Sequence, residues 1–337
     1  MTQEYSAPVQ GNLFGFRLPL DPLPHHRFKE GLHHIDSLHC ARRIYGQGGA
    51  FLLVGPSGFG KSLLIKHYEQ RYPRVSQQSG DLIPVLRVSV PPAPTAKSLG
   101  EVILGELGYR KAHRGSAAEK MAVILELFKK CGIEMLLFDE FHHLFYAPTV
   151  AHFRDVTDWL KNLISLSNIG IVGCGLPEAE AVVDANEQLS RRFSSRYRLT
   201  PFSLEEKDFL EFRSVLKSLQ LRLPFPTEIP LHEANLARRF LIGSYGLLDY
   251  VSKILEGAVA VCVESGLSSI DLQVLAEGFR QRVWREVPDR LNPFHPESYL
   301  RPLDRVGEVF YLHVSQDLVG SAISKRICLN NLKGAAR

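Results

Sequence analysis

Between the apolar run Phe51-Leu52-Leu53-Val54 and the apolar stretch Leu63-Leu64-Ile65 stands Gly55-Pro56-Ser57-Gly58-Phe59-Gly60-Lys61-Ser62. The order is strand, glycine-rich loop, helix. No other stretch constrains the fold as tightly, because the run fits G-x-x-x-x-G-K-[ST] in the setting that pattern requires. Gly55, Gly58 and Gly60 let backbone N–H groups turn inward around a polyphosphate. The helix N-terminus adds its partial positive charge. Lys61 is placed to bridge the outer phosphates and Ser62 to hold Mg²⁺. The expected nucleotide-binding set is therefore Gly55, Pro56, Ser57, Gly58, Phe59, Gly60, Lys61, Ser62 and Leu63, with ATP and Mg²⁺ as ligands. A glycine turn carrying Lys-Ser by coincidence would not need both flanks.

A chain of 337 residues suggests about two domains. The formal net charge is only +4, and its distribution says more than its size. From Arg280 onward there are ten Lys or Arg against six Asp or Glu, while the rest is balanced. A mildly basic end suits nucleic acid, an acidic partner or plain solvated surface. The five cysteines are scattered and form no C-x-x-C pair, which favours free thiols in a reducing cytoplasm over a disulfide frame or a zinc site. The first residues lack a secretory pattern, and the longest apolar run, 258–263, is too short to span a bilayer. No membrane association is expected.

Taken in order, residues 1–26 are rich in Gly and Pro with interspersed Phe and Leu, and read as an extended arm docked on its own body or on a partner. Residues 27–47 read as a helix or helix pair. His33, His34 and His39 crowd there without metal-ligand spacing, so surface or internally satisfied histidines are expected. Further strands are expected at 83–90, 134–138, 169–173 and near 197–199, alternating with helices, the first of them capped by Thr95. The third strand delivers Asp139-Glu140 at its end, 78 residues after Lys61. Asp139 is expected to bind Mg²⁺ through water, and Glu140 to polarise the attacking water. This alternation implies an α/β domain over 27–201 with a mostly parallel sheet and ligands beyond the strand carboxyl ends. After Pro201 the pattern turns all-helical over 202–286, opening on Ser203-Leu204-Glu205-Glu206, the form of a capping box. Residues 287–337 read as a Pro-rich tail with little core of its own.

These parts together resemble an AAA+ ATPase: a P-loop α/β domain with a parallel five-stranded sheet and a small helical lid. More narrowly, the chain resembles the TnsC/TniB family of transposition regulators. The resemblance rests on residues 55–62, on Leu137-Phe138-Asp139-Glu140-Phe141-His142-His143-Leu144, on Val172-Gly173-Cys174-Gly175-Leu176-Pro177-Glu178-Ala179, and on Leu189-Ser190-Arg191-Arg192-Phe193. The length and the extra tail are similar to members from CRISPR-associated, Tn-seven-like elements. The resemblance implies ATP binding and hydrolysis at subunit interfaces, and homo-oligomeric rings or helical filaments on double-stranded DNA. It implies a link between a target-selection protein, TniQ-like and accompanied by a CRISPR effector complex, and a transposase. Arg192 or Arg191 matches the arginine finger that reaches a neighbour's nucleotide. Charge building on the γ-phosphoryl group creates the demand for that cation.

Two departures from the wider AAA+ pattern stand out. Cys174 and Gly175 occupy the place of a polar residue after the fourth strand, and 243–248 carries no Arg at the start of a lid helix. Both imply slow turnover. Lys97, Lys111 and Arg114 lie in or near the loops after the second strand and are nominated for phosphate contacts on DNA; solvated surface cations are the plain alternative. Phe14, Phe16 and Phe294 are candidate docking anchors for partners. Competing readings are a helicase loader or replication initiator, a nucleotide-gated scaffold without hydrolysis, and a small-molecule kinase. Glu140 argues against the scaffold, and the Leu189-Ser190-Arg191-Arg192-Phe193 element against the kinase.

Overall fold

The computed structural model describes Leu13, residues 15–18, 25–78 and 80–311. Its contacts divide the chain into two compact units, one comprising Arg27–Thr200 and the other built from residues 201–311 with the described residues before Arg27.

In the first unit, helix α1 (His26–Tyr45) leads to β1 (Ala50–Val54), and α2 (Lys61–Gln70) follows the glycine loop. A hairpin, β2 (Val75–Gln77) and β3 (Gly80–Leu82), comes next, and then β4 (Val85–Ser89). Two helices, α3 (Ala96–Glu106) and α4 (Ala117–Lys130), precede β5 (Met135–Asp139). A 3-10 turn over Phe141–Tyr146 leads into α5 (Val150–Ser167) and β6 (Gly170–Gly175). Short helices α6 (Glu178–Asp184) and α7 (Glu187–Arg192) end at β7 (Ser195–Arg198).

Five strands make one sheet in the order β4-β5-β6-β1-β7, and every pairing is parallel. β1, β5 and β6 are buried along their whole length, as expected of strands covered on both faces. Because the pairs are parallel and in register (Ser89 beside Asp139, Val54 beside Gly175), the ends of β4, β5, β6 and β1 fall on one edge. That edge carries the glycine loop and Asp139-Glu140. The helices obey local chemistry. Thr95 accepts from Ser98 N at the start of α3, and Ser116 and Glu119 form a reciprocal capping box on α4. Along α5, Val156, Trp159, Leu160 and Leu163 recur at helical spacing and are buried.

The second unit holds α8 (Glu206–Gln220), α9 (Ala234–Ser244), α10 (Leu248–Ser265) and α11 (Leu272–Arg282). Its core gathers Phe212, Leu216, Phe240, Ile254, Ala258 and Phe279. α10 and α11 meet backbone to backbone: a Cβ on Gly257 would lie 2.6 Å from the Gly278 carbonyl oxygen. The N-terminal segment docks here as well. Leu18 is buried and its N–H donates to Glu256 Oε1 at 3.0 Å, while Arg17 Nη1 meets Glu256 Oε2 at 2.8 Å.

Three sequence expectations need correction. Ser203 does not form a capping box, because α8 starts later, at Glu206 with Glu205 as its N-cap. Its hydroxyl instead donates to Asp208 and accepts from Glu205 N. The segment after 286 is no bare tail as far as it is described, since Val287, Phe294, Leu303 and Phe310 are buried in the helical core. For that reason Phe294, fully buried beside Phe240, is not a docking anchor, and Phe16 packs against the same core. Burying these rings removes apolar surface from water within the unit, leaving none of Phe294 for a partner. Phe14 and residues 312–337 lie outside the described residues.

Candidate functional site

The glycine loop leaves β1 under tight steric control. A Cβ on Gly55 would stand 2.9 Å from the Leu199 carbonyl oxygen and 3.0 Å from the Leu199 Cβ, so only glycine lets β1 turn there. Gly58 (φ 82°) and Gly60 (φ 76°) adopt left-handed conformations that a side chain would strain. Gly60 caps α2, and its carbonyl accepts from Leu64 N at 2.8 Å. Lys61 opens the helix and is only 9% exposed. Its Nζ donates to the Pro56 carbonyl at 2.7 Å, folding the lysine back over the loop. Burial lowers its pKa, opposed by the nearby Cys174, Glu140, Asp139 and Glu178. Ser57 is exposed, while Phe59 and Leu63 are half-buried.

Residues 77 apart in sequence meet at the next contact: Ser62 Oγ donates to Asp139 Oδ1 at 3.0 Å. Asp139 is nearly buried, and its Oδ1 also accepts from Glu140 N at 3.0 Å. Arg87 on β4 lies 3.9 Å from Asp139 Oδ2 and pairs with Glu69 at 2.9 Å. Sequence reading missed Arg87, which has no motif signal; only the β4–β5 register brings it to the carboxylate. A hydroxyl and a carboxylate converging beside the loop are hard oxygen donors, a set that suits Mg²⁺.

Glu140 holds φ 54°, ψ 35°, a left-handed conformation unusual for glutamate, and its side chain is 45% exposed. Next to it His142 is buried, and its Nδ1 accepts from Leu176 N at 3.3 Å. His143 Nδ1 lies 2.8 Å from the Val90 carbonyl. Glu140, His142 and His143 bring ligand atoms within 4.8 Å of one another. The histidines of α1 do not gather into such a group. His39 is buried between the Tyr68 hydroxyl and Glu134, and His34 stacks on Phe51.

The remaining candidates stand apart from the loop. Arg191, at the end of α7, is exposed and pairs with Glu187 at 2.5 Å. Arg192 is exposed and makes no hydrogen bond or ion pair among the described residues. Phe193, just after them, is fully buried against Phe141, 5.6 Å between ring centroids, which fixes where the arginines emerge. Lys97 is exposed near the start of α3, and Lys111 and Arg114 are exposed on the loop between α3 and α4. That loop is stapled from below: Lys120 is buried, and its Nζ donates to the Arg114 carbonyl at 2.9 Å and to that of Ala112. Nothing local in the sequence marks Lys120 as a lysine that turns inward.

Among described residues no helix is long and apolar enough to cross a membrane. The fold is similar to that of the Aeropyrum pernix ORC2 protein in ADPNP–ADP complexes, with a TM-score of 0.59 and 16% identity over 79% of this chain and 70% of that one. The Aeropyrum pernix ORC1 protein in complex with DNA follows, with a TM-score of 0.57 and 16% identity over 78% of this chain and 68% of that one. Cdc6p from Pyrobaculum aerophilum gives a TM-score of 0.56 at 14% identity, covering 85% of this chain and 72% of that one. By sequence, the chaperone protein ClpB of Lactococcus lactis subsp. cremoris is 22% identical over 221 residues, 63% of this chain and 23% of that protein. Origin recognition complex subunit 4 of Rattus norvegicus is 26% identical over 211 residues, 58% of this chain and 45% of that protein. The chain thus spans less than half the length of these two relatives. The architecture is the AAA+ α/β fold. Residues 23–203, more than half of the chain, match the family described as "Bacterial TniB protein", and the chain belongs to that family.

Proposed function

We propose that this chain is an ATP-dependent regulator that assembles on double-stranded DNA and connects a target-selection protein to a transposase. The observation that carries the reading is the meeting of Ser62 and Asp139 beside the Lys61 loop, with Glu140 next in the chain, at the shared edge of the sheet. In this reading the backbone of residues 55–62 and Lys61 hold the phosphates, and Ser62 and Asp139 hold Mg²⁺. An ion held there would supply positive charge to offset that of the phosphates. Glu140, half exposed, takes a proton from the attacking water. The TniB membership supports the transposition role over that of a loader or initiator.

Arg192 supplies the finger to the neighbouring subunit. Support comes from its exposure without a partner among the described residues, whereas Arg191 is already engaged by Glu187. Arg192→Ala should bind nucleotide normally and lose roughly 10³-fold in hydrolysis. Mixing it with Lys61→Ala should restore hydrolysis, because one interface then joins an intact finger to an intact pocket. Steady-state phosphate release from the mixture measures this; no recovery assigns the finger elsewhere.

Lys111 and Arg114 contact DNA phosphates, on a loop whose backbone the buried Lys120 holds in place. Each phosphate contact contributes about 0.9 to the slope of log K against log salt. The double variant Lys111→Ala/Arg114→Ala should therefore bind duplex DNA more weakly, with a slope shallower by about two. Fluorescence anisotropy over a salt series reads the slope, and an unchanged slope removes both residues from the interface.

A further inference from the structure

We infer that His142 is the positioning residue for Glu140: held to the end of β6 by the Leu176 amide, its ring walls one side of the Glu140 carboxylate and limits where that carboxylate can stand. The inference rests on the ATPase reading above and deepens it. Four observations carry it.

First, the His142 ring occupies room that β6 leaves open. Gly175 has no side chain, and a Cβ there would lie 2.9 Å from His142 N and 3.2 Å from His142 Nδ1. The ring stands where a side chain of the strand's last residue would project. Second, Nδ1 accepts from Leu176 N, so that nitrogen carries no proton. Its other neighbour, Glu140 Oε2, is 3.4 Å away. Burial, followed by His143 and Lys61, pushes the His142 pKa down to about 4, so the ring is neutral at physiological pH. A neutral ring with an occupied lone pair cannot clamp the carboxylate as an imidazolium would. It walls one side of Glu140 and leaves the carboxylate oxygens free for water.

Third, Glu140 itself is held in a left-handed conformation, a strain that persists only where the surroundings enforce it. The turn that enforces it begins with His143 N donating to the Glu140 carbonyl at 2.8 Å, and Phe141 is fully buried. Fourth, His142 is locked by packing: it is 5% exposed, with the His143 ring 4.6 Å away between centroids and Tyr146 edge-on at 6.3 Å. The arrangement ties the ring that flanks the carboxylate after β5 to the backbone after β6. A shift of either strand end is thereby felt at the water-polarising group. Misplacement of a reacting group by about 1 Å can reduce rate by about 10²-fold.

The test uses the full chain and three variants. His142→Phe keeps the ring volume and removes the acceptor; His142→Asn restores an acceptor close to the Nδ1 position; Gly175→Ala pushes a methyl into the ring's space. His142→Phe and Gly175→Ala should lower kcat by about 10- to 100-fold with the nucleotide Kd unchanged within about twofold. His142→Asn should recover most of the rate. Hydrogen exchange at the Leu176 amide, measured without nucleotide, should accelerate in His142→Phe and stay slow in His142→Asn. A double-mutant cycle with Glu140→Gln should show strong coupling, because a residue acting through Glu140 has little left to affect once it is gone. If the unaltered protein hydrolyses ATP and His142→Phe matches its kcat, the inference is wrong while the ATPase reading stands. If the unaltered protein does not hydrolyse ATP, both fall. Equal rate loss in Phe and Asn variants with unchanged Leu176 exchange would also overturn the positioning role.

Discussion

Lys61→Ala should bind ATP roughly 10²- to 10⁴-fold more weakly and lose nucleotide-dependent assembly on DNA. The size follows from charge-assisted contacts of about 1.5–3 kcal/mol each, two of which a lysine bridging the outer phosphates would make. The fold should not suffer. Lys61 is held at low exposure with its pKa depressed by burial, and among the described residues its side chain hydrogen-bonds the Pro56 carbonyl rather than a carboxylate. Replacing it removes a desolvated cation and breaks no ion pair, so thermal stability should stay level or rise slightly. Titration with a fluorescent ATP analogue, alongside a melting curve, separates the two effects. Unchanged nucleotide affinity would show that the loop does not hold phosphates through this lysine.

Glu140→Gln should behave in the opposite way, with kcat falling by roughly 10²- to 10⁴-fold while nucleotide affinity stays near that of the parent protein. The substitution is isosteric, and the contact that organises the site, Glu140 N to Asp139 Oδ1, uses the backbone and survives. On the proposed reading hydrolysis also dissolves the assembly, so complexes of this variant on DNA should outlast those of the parent protein in ATP. Single-turnover phosphate release together with DNA residence time checks both halves. Loss of nucleotide binding in this variant would place Glu140 among the ligand-holding groups instead.

Much of the site can be read from the residues in order. A strand, a glycine loop and a helix are contiguous, so their chemistry is local and Lys61 and Ser62 follow from it. Asp139-Glu140 is also local, being an apolar strand that ends in two carboxylates. What escaped is what depends on register or on burial. Arg87 reaches Asp139 only because β4 lies beside β5. His142 looks like half of a surface histidine pair until β6 is seen to end in a residue with no side chain. Lys120 reads as a solvated position on a helix, yet it turns inward to two loop carbonyls. The short helices α6 and α7 cover seven and six residues, less than the window over which helical periodicity can be recognised. The β2–β3 hairpin is largely exposed, with no buried face to give an alternating pattern. The segment after 286 misled by its prolines: composition suggested an open tail, while spaced apolar residues such as Phe294 and Phe310 anchor it to the helical core.

ATP-gated assembly around a duplex is tested most directly by electron microscopy of the protein with long double-stranded DNA and a slowly hydrolysed ATP analogue. Closed rings or continuous helical filaments on the DNA are expected, with none formed by Lys61→Ala under the same conditions. Bare DNA beside monomers of the unaltered protein, or filaments that form equally well without nucleotide, would contradict it.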